Sequence, residues 1–140
     1  MTSAGYLLDT NIVSETRKRR PHHGLLDFLA AVDANQLFLS VLTIGEVHKG
    51  VEAKRTEDPA GADRLRDWLL SIETTFSRRV LPVDPAVARR WGELSARRSL
   101  PVIDTLIAAT ALAHGLTLVT RNIRDVRATG VDTFNPWEGR

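Results

Sequence analysis

The chain of 140 residues is 43% hydrophobic and 26% charged with a formal net charge of +2, a balance that fits one globular domain with a substantial core and excludes a disordered chain. It contains no cysteine, which excludes a disulfide framework, a thiolate nucleophile and a sulfur-based zinc site, and makes a reducing cytoplasm the expected location. No basic leader and no run of about 18 apolar residues is present, so neither secretion nor membrane spanning is expected.

The first predicted element is the apolar run Tyr6-Leu7-Leu8, read as a buried strand, with Asp9 directly behind it. An acid there can cap the following helix. It can also stand at the rim of an active site, because ligands of open α/β sheets bind beyond the carboxyl ends of strands. Next, His22 and His23 follow Pro21 in what reads as a loop, as surface or packing residues. Leu37 to Val41 is the second strand, and Thr43 and Glu46 behind it match a capping box, T-x-x-E. Lys54 to Gly61 is the expected exposed loop. Asp58-Pro59 and Asp84-Pro85 each pair an N-cap acceptor with a proline suited to the first helical position, so both mark helix starts. Apolar residues recur at helical spacing after each, and Trp68 and Trp91 among them read as core or interface residues.

Val80 to Val83 is the third strand. Pro101 to Gly115 is apolar almost all round and ends on glycine, which predicts a buried central helix with Asp104, its one acid, on the first turn. Leu116 to Thr120 is a fourth strand ending at Thr120, followed by Asn122 and Asp125, either of which could cap a turn. Short strands alternating with longer helical patterns predict an α/β domain with a parallel sheet. No repeat or linker divides it.

In such a sheet Asp9, Glu46 and Asp104 meet at one edge. Carboxylates that close raise one another's pKa unless a cation neutralises them. A hard divalent metal is the usual answer, and magnesium needs only one or two carboxylates besides water and substrate phosphate. The four histidines are poorly spaced for zinc. Arginine dominates the basic residues and clusters at Arg17 to Arg20, Arg78-Arg79, Arg89-Arg90 and Arg97-Arg98, with Arg121, Arg124 and Arg127 besides. Its planar fork suits phosphate, which makes an RNA or DNA surface plausible.

The order LLDTN, TIGEV, DTLIAATALAHGLTLVTRN and FNPW resembles the PIN-domain ribonucleases, specifically the VapC and FitB-like toxins of bacterial type II toxin–antitoxin modules, over essentially the whole chain, so that residues 1–140 read as a single PIN domain. The resemblance implies a three-layer α/β/α fold with a small parallel sheet and endonucleolytic, magnesium- or manganese-dependent hydrolysis of RNA, with single-stranded or looped RNA as substrate. By position, Asp9, Glu46 and Asp104 match three family acids, Asp9 and Asp104 being the metal ligands and Glu46 the group that orients or deprotonates water. The fourth family position falls on Asn122, often aspartate in relatives, with Asp125 three residues later; either one completes the site. Thr10 and Asn11 could add polar contacts or cap the helix. The resemblance also implies a VapB-type antitoxin partner, a homodimer built on exposed apolar residues of the helices after Asp58 and Asp84, and a heterotetramer or larger assembly with antitoxin. One alternative is a degenerate PIN-like module that binds RNA or antitoxin without cutting, which only Asn122 favours. A phosphatase of the haloacid-dehalogenase type would want an acid where Asn11 stands. Neither a P-loop nor a G-x-G-x-x-G run supports nucleotide binding.

Overall fold

The computed structural model describes residues 5–139. Five parallel strands form one sheet: β1 (Tyr6–Leu8), β2 (Leu37–Ser40), β3 (Val80–Leu81), β4 (Thr117–Val119) and β5 (Thr133–Phe134), in the spatial order β3-β2-β1-β4-β5. Seven α-helices join them: α1 (Thr10–Thr16), α2 (His23–Ala31), α3 (Val41–Lys54), α4 (Pro59–Phe76), α5 (Pro85–Ser95), α6 (Val102–His114) and α7 (Ile123–Val126). The chain runs outward from β1 through β2 and β3 on one side, and through β4 and β5 on the other. The order therefore reverses between β1 and β4, and the carboxyl ends of those two strands open onto the crevice where α/β sheets bind ligands.

Side chains of the central strands alternate between two cores, as the pleat requires. Leu7 and Leu118 point into a cluster with Ile107, Ala108 and Ala111 of α6 and Val126 of α7. Leu8, Leu37, Leu39 and Val119 point the other way, onto Ile12 and Val13 of α1 and Leu25 of α2, with Trp68, Ile72 and Phe76 of α4 alongside. Helices thus cover both faces, and the expected α/β/α layering is present. Burying seven such aliphatic side chains at a few per cent exposure or less, as for Leu7, Ile12, Leu25, Leu39, Ile107, Leu118 and Val119, is worth about 1.5–3 kcal/mol each relative to leaving them exposed.

The caps at Asp58 and Asp84 form as expected: Gly61 N–H donates to Asp58 Oδ1 and Val87 N–H to Asp84 Oδ1, each at 2.9 Å. Gly115 closes α6 in the left-handed region at φ 65°, the conformation glycine adopts without strain.

Several local expectations are corrected, and the second and third strands end earlier than expected, at Ser40 and Leu81. The N-cap of α3 is Ser40, whose Oγ accepts from Leu42 N–H at 3.0 Å, so Thr43 and Glu46 are not a capping box and Glu46 is free for other work. Of the two histidines expected in a loop, His22 lies just outside α2 and caps it, with Nδ1 accepting from Gly24 N–H at 3.0 Å, while His23 is the first residue of the helix. The fourth strand ends at Val119, one residue before Thr120. The segment 54–61 is mostly exposed, but α4 already begins at Pro59 and Gly61 is buried within it. Strand β5 was not foreseen, being only two residues long.

Candidate active site

The register of the sheet brings the polar residues together. Leu8 pairs with Val119, so Asp9 and Thr120 are the next residues out on neighbouring strands, and Asp9 N–H donates to Val119 O at 2.9 Å. Thr120, buried at 1% exposure, donates its hydroxyl hydrogen to Asp9 Oδ2 at 2.8 Å and accepts from Asn122 N–H at 3.0 Å. Thr10 N–H donates to Asp9 Oδ1 at 2.8 Å. One oxygen of Asp9 thus caps α1 and the other accepts from Thr120, while the residue as a whole lines the cavity described below.

Glu46 reaches the same place from α3. Thr10 Oγ1 donates to Glu46 Oε1 at 2.5 Å and lies 2.9 Å from Thr43 Oγ1. The single hydroxyl hydrogen of Thr10 goes to the carboxylate, so Thr43 must be the donor to Thr10. This chain from buried Thr43 through Thr10 to Glu46 ties α1 to α3. Asp104 stands on the first turn of α6. Asn122 precedes α7 without making a side-chain cap, and Asp125 lies on that helix's first turn.

Asp9, Glu46, Asp104, Asn122 and Asp125 all line one cavity of about 80 Å³, closed beneath by Ile107, Leu118 and Val126. All five predicted site residues are thus brought together. Burial raises the pKa of Asp9 above its ordinary 3.8; the hydrogen bonds from Thr120 and Thr10 oppose this, and the charges of Asp104 and Glu46 add to it. Burial likewise raises the pKa of Asp104, followed by the charges of Glu46 and Asp125. The four carboxylates therefore feel one another across the cavity.

The donor set fits a hard divalent cation: carboxylates and an amide, no sulfur, and mutual repulsion that a positive ion would relieve. Among the described residues no three of His, Cys, Asp and Glu close into a cage around one point. An ion here would take one or two carboxylates and complete its shell with water, the habit of magnesium rather than of structural zinc.

The family model for the PIN domain matches residues 6–130. The chain belongs to the PIN domain family. Relatives extend over nearly all of it. The plasmid stability protein StbB of Pseudomonas syringae pv. tomato is 35% identical, covering 94% of this chain and 98% of that one. The VapC ribonuclease Y4jK of Sinorhizobium fredii is 36% identical, over 94% of this chain and 97% of its own. Among solved structures, the crystal structure of FitAcB from Neisseria gonorrhoeae superposes with a TM-score of 0.83 at 31% identity, covering 94% of this chain and 98% of that one.

Within this PIN domain, Thr43 and Thr120 are supporting residues that sequence reading did not single out. A hydroxyl directly after a strand, as in Leu118-Val119-Thr120, is the one signal that could have drawn attention to Thr120. Thr43 is visible in the sequence only as part of the T-x-x-E pattern; nothing there signals its bond to Thr10, 33 positions away.

Proposed function

We propose that this PIN domain, with residues 1–140 acting as a single unit in the cytoplasm, is the toxin of a type II toxin–antitoxin pair: an endoribonuclease that hydrolyses RNA phosphodiester bonds with magnesium or manganese. The observation that carries this reading is the convergence of Asp9, Glu46, Asp104 and Asp125 on one cavity at the switch point of the sheet, in a chain 36% identical to a VapC ribonuclease.

Asp9 and Asp104 would hold the cation, which when bound neutralises the cavity's negative charge and makes water a stronger nucleophile. The chain's own residues do the rest. Thr120 and the N–H of Thr10 fix both oxygens of Asp9, so its orientation is set before substrate arrives. Glu46, held by Thr10, takes the proton of the attacking water. The water oxygen bonds to phosphorus as the ester bond to the leaving ribose oxygen breaks; that oxygen keeps the bonding pair and takes a proton from solvent, and no bond forms between chain and substrate. Asn122 contributes a neutral amide where relatives often have an acid. Asp125 supplies the fourth negative charge from the same wall, which speaks against the non-catalytic alternative.

The partners follow from the same relatives. FitAB was solved bound to a DNA fragment, and the similar structure from Klebsiella pneumoniae is a toxin–antitoxin complex; a VapB-type antitoxin is the partner proposed here. A homodimer would use exposed apolar residues of α4 and α5, such as Leu70 at 54% exposure on the side of α4 away from the core, and antitoxin binding would give a heterotetramer or larger. No helix among the described residues is long and apolar enough to cross a membrane.

The test is to incubate the purified, antitoxin-free chain and Asp9→Ala with a mixed RNA pool, with and without manganese or magnesium, and to map the ends produced. Cleavage by the wild type alone, and only with metal, is expected. Equal cleavage by Asp9→Ala would overturn the reading.

A further inference from the structure

The acid cavity, at about 80 Å³, has room for an ion and a few waters but not for a nucleotide. A second cleft of about 370 Å³ adjoins it, with Asn11 and Asn122 as shared walls and Lys18, Arg121 and Trp137 on its own side. The exposed guanidinium of Arg121 lies 4.9 Å from the centre of the Trp137 ring. The same ring stacks on His22 at 4.9 Å and 25°, and His22 stacks on His23 at 4.5 Å and 25°.

This stack is anchored at each layer. Trp137 packs against the core cluster that includes Leu8 and Val119, and its backbone N–H donates to Asn135 Oδ1 at 2.9 Å. His22 donates its backbone N–H to Glu15 Oε2 at 3.0 Å and accepts from Gly24 N–H through Nδ1. A Cβ on Gly24 would stand 2.2 Å from Pro136 O, so glycine there is what lets α2 approach the segment carrying Trp137.

Arg121 is the permanently charged side chain of the stack, and among the described residues no hydrogen bond holds its guanidinium. The nearby acid Glu15 is already paired with Lys18 at 2.8 Å, and among the described residues no carboxylate lies within ion-pair distance of Arg121. A planar guanidinium laid on an aromatic ring keeps its fork of N–H donors pre-oriented, which suits two oxygens of one phosphate. It also stands beside Asn122 in the chain, at the lip of the acid cavity.

We propose that Arg121, held on the Trp137–His22 stack, is a phosphate-binding residue that grips an RNA backbone phosphate next to the one being cleaved, and so places the scissile bond over the acids. The proposal rests on the ribonuclease reading above. It favours RNA over an antitoxin peptide in this cleft, because Lys18 and Arg121 give the cleft the positive charge that a phosphate backbone needs. Lys18 and the exposed residues Arg17, Arg19 and Arg20 at the end of α1 extend the positive approach.

The test uses the full chain as wild type, Arg121→Ala, Arg121→Lys, Trp137→Ala and, as a control on the exposed side of α4, Arg64→Ala. Apparent KM and kcat are measured on a mixed RNA pool with manganese. Binding of a labelled random-sequence single-stranded RNA is measured in chelator at 50 to 200 mM salt, roughly the range over which phosphate contacts show their salt dependence. Arg121→Ala should raise KM and the dissociation constant roughly tenfold, as expected for a lost charge-assisted contact, with kcat changed far less. Its plot of log affinity against log salt should flatten by about 0.7, one phosphate's worth for single strands. Arg121→Lys, which keeps the charge but not the fork, should lose affinity while keeping the slope; Trp137→Ala should resemble Arg121→Ala; Arg64→Ala should match wild type.

If wild type cleaves RNA and Arg121→Ala leaves KM and the salt slope unchanged, the proposal fails and the ribonuclease reading stands. If Arg121→Ala keeps RNA affinity but loses antitoxin affinity, the cleft belongs to the antitoxin and the proposal is overturned. If wild type neither cleaves nor binds RNA, both fail together. Arg121→Lys, a surface change, keeps the test decisive should Trp137→Ala misfold.

Discussion

The hydroxyl of Thr120 and the carboxylate of Asp9 meet at 2.8 Å from the ends of two neighbouring parallel strands, 111 positions apart in the chain. The pairing follows from sheet register, since each residue is one step beyond the Leu8–Val119 pair. Replacing Thr120 by valine keeps the shape, leaves Asp9 Oδ2 without its donor and orphans Asn122 N–H. Cleavage should fall about 10- to 100-fold, as for other residues that orient a metal ligand. Thr120→Ser should keep most of the rate. Initial rates at saturating metal decide this, with a thermal melt to show that both variants fold.

A parallel argument holds for Thr10 and Glu46. If Glu46 handles the proton of the attacking water, Glu46→Gln should lower kcat by about 10²- to 10⁴-fold, the usual share of general acid–base catalysis. Thr10→Val removes the hydroxyl that fixes Glu46 Oε1, and with it the acceptor of Thr43, and should cost less in kcat than Glu46→Gln. The double variant should be no slower than Glu46→Gln alone. Additive losses in kcat would show that Thr10 acts on something other than Glu46.

The raised pKa of Asp9 makes a prediction about the metal-free protein. Because its folded pKa lies above the ordinary 3.8, the native state holds that proton more tightly than the unfolded chain. Stability from this group is then fully present below the unfolded value and is lost as pH rises through the folded one. Asp9→Asn removes the charge, keeps an acceptor for Thr10 N–H and reverses the bond to Thr120. In chelator at pH 7 the variant should melt at a higher temperature than wild type, with the gap closing toward pH 4. Activity has the opposite sense and should fall as acid protonates Asp9 and Asp104. A variant that melts below wild type at pH 7 would contradict the account.

Gly24 offers a steric test. Its missing Cβ would press on a backbone oxygen, that of Pro136, at 2.2 Å, and backbone cannot swing aside as a side-chain tip can. Gly24→Ala should destabilise the fold by about 1–3 kcal/mol, the usual cost of overpacking, measured by urea denaturation. A loss below 0.5 kcal/mol, the typical surface range, would mean that the tail yields freely.

Much of this arrangement is legible in the sequence because it is local. Tyr6-Leu7-Leu8 before an acid, Asp-Pro at two helix starts and the uninterrupted apolar run of α6 each carry their own physical signal. Where local signals competed, one misled: T-x-x-E at Thr43 and Glu46 matches a capping box, yet Ser40, three residues earlier, is the true cap. Pro82 cut the predicted third strand to Val80–Leu81, since proline cannot continue the ladder. Long-range pairs such as Thr10 with Glu46, or Arg121 with Trp137, leave no trace in composition or spacing, because only the folded sheet sets their distance.

The account stands on the acids of the sheet's carboxyl edge forming a divalent-cation site. Calorimetric titration of manganese into the metal-free wild type and Asp104→Asn, at one pH and salt, tests this most directly. Saturable binding by the wild type that is lost or at least tenfold weaker in the variant is the predicted result, in keeping with removal of one of two carboxylate ligands. Equal binding by both, or none by the folded wild type, would contradict it.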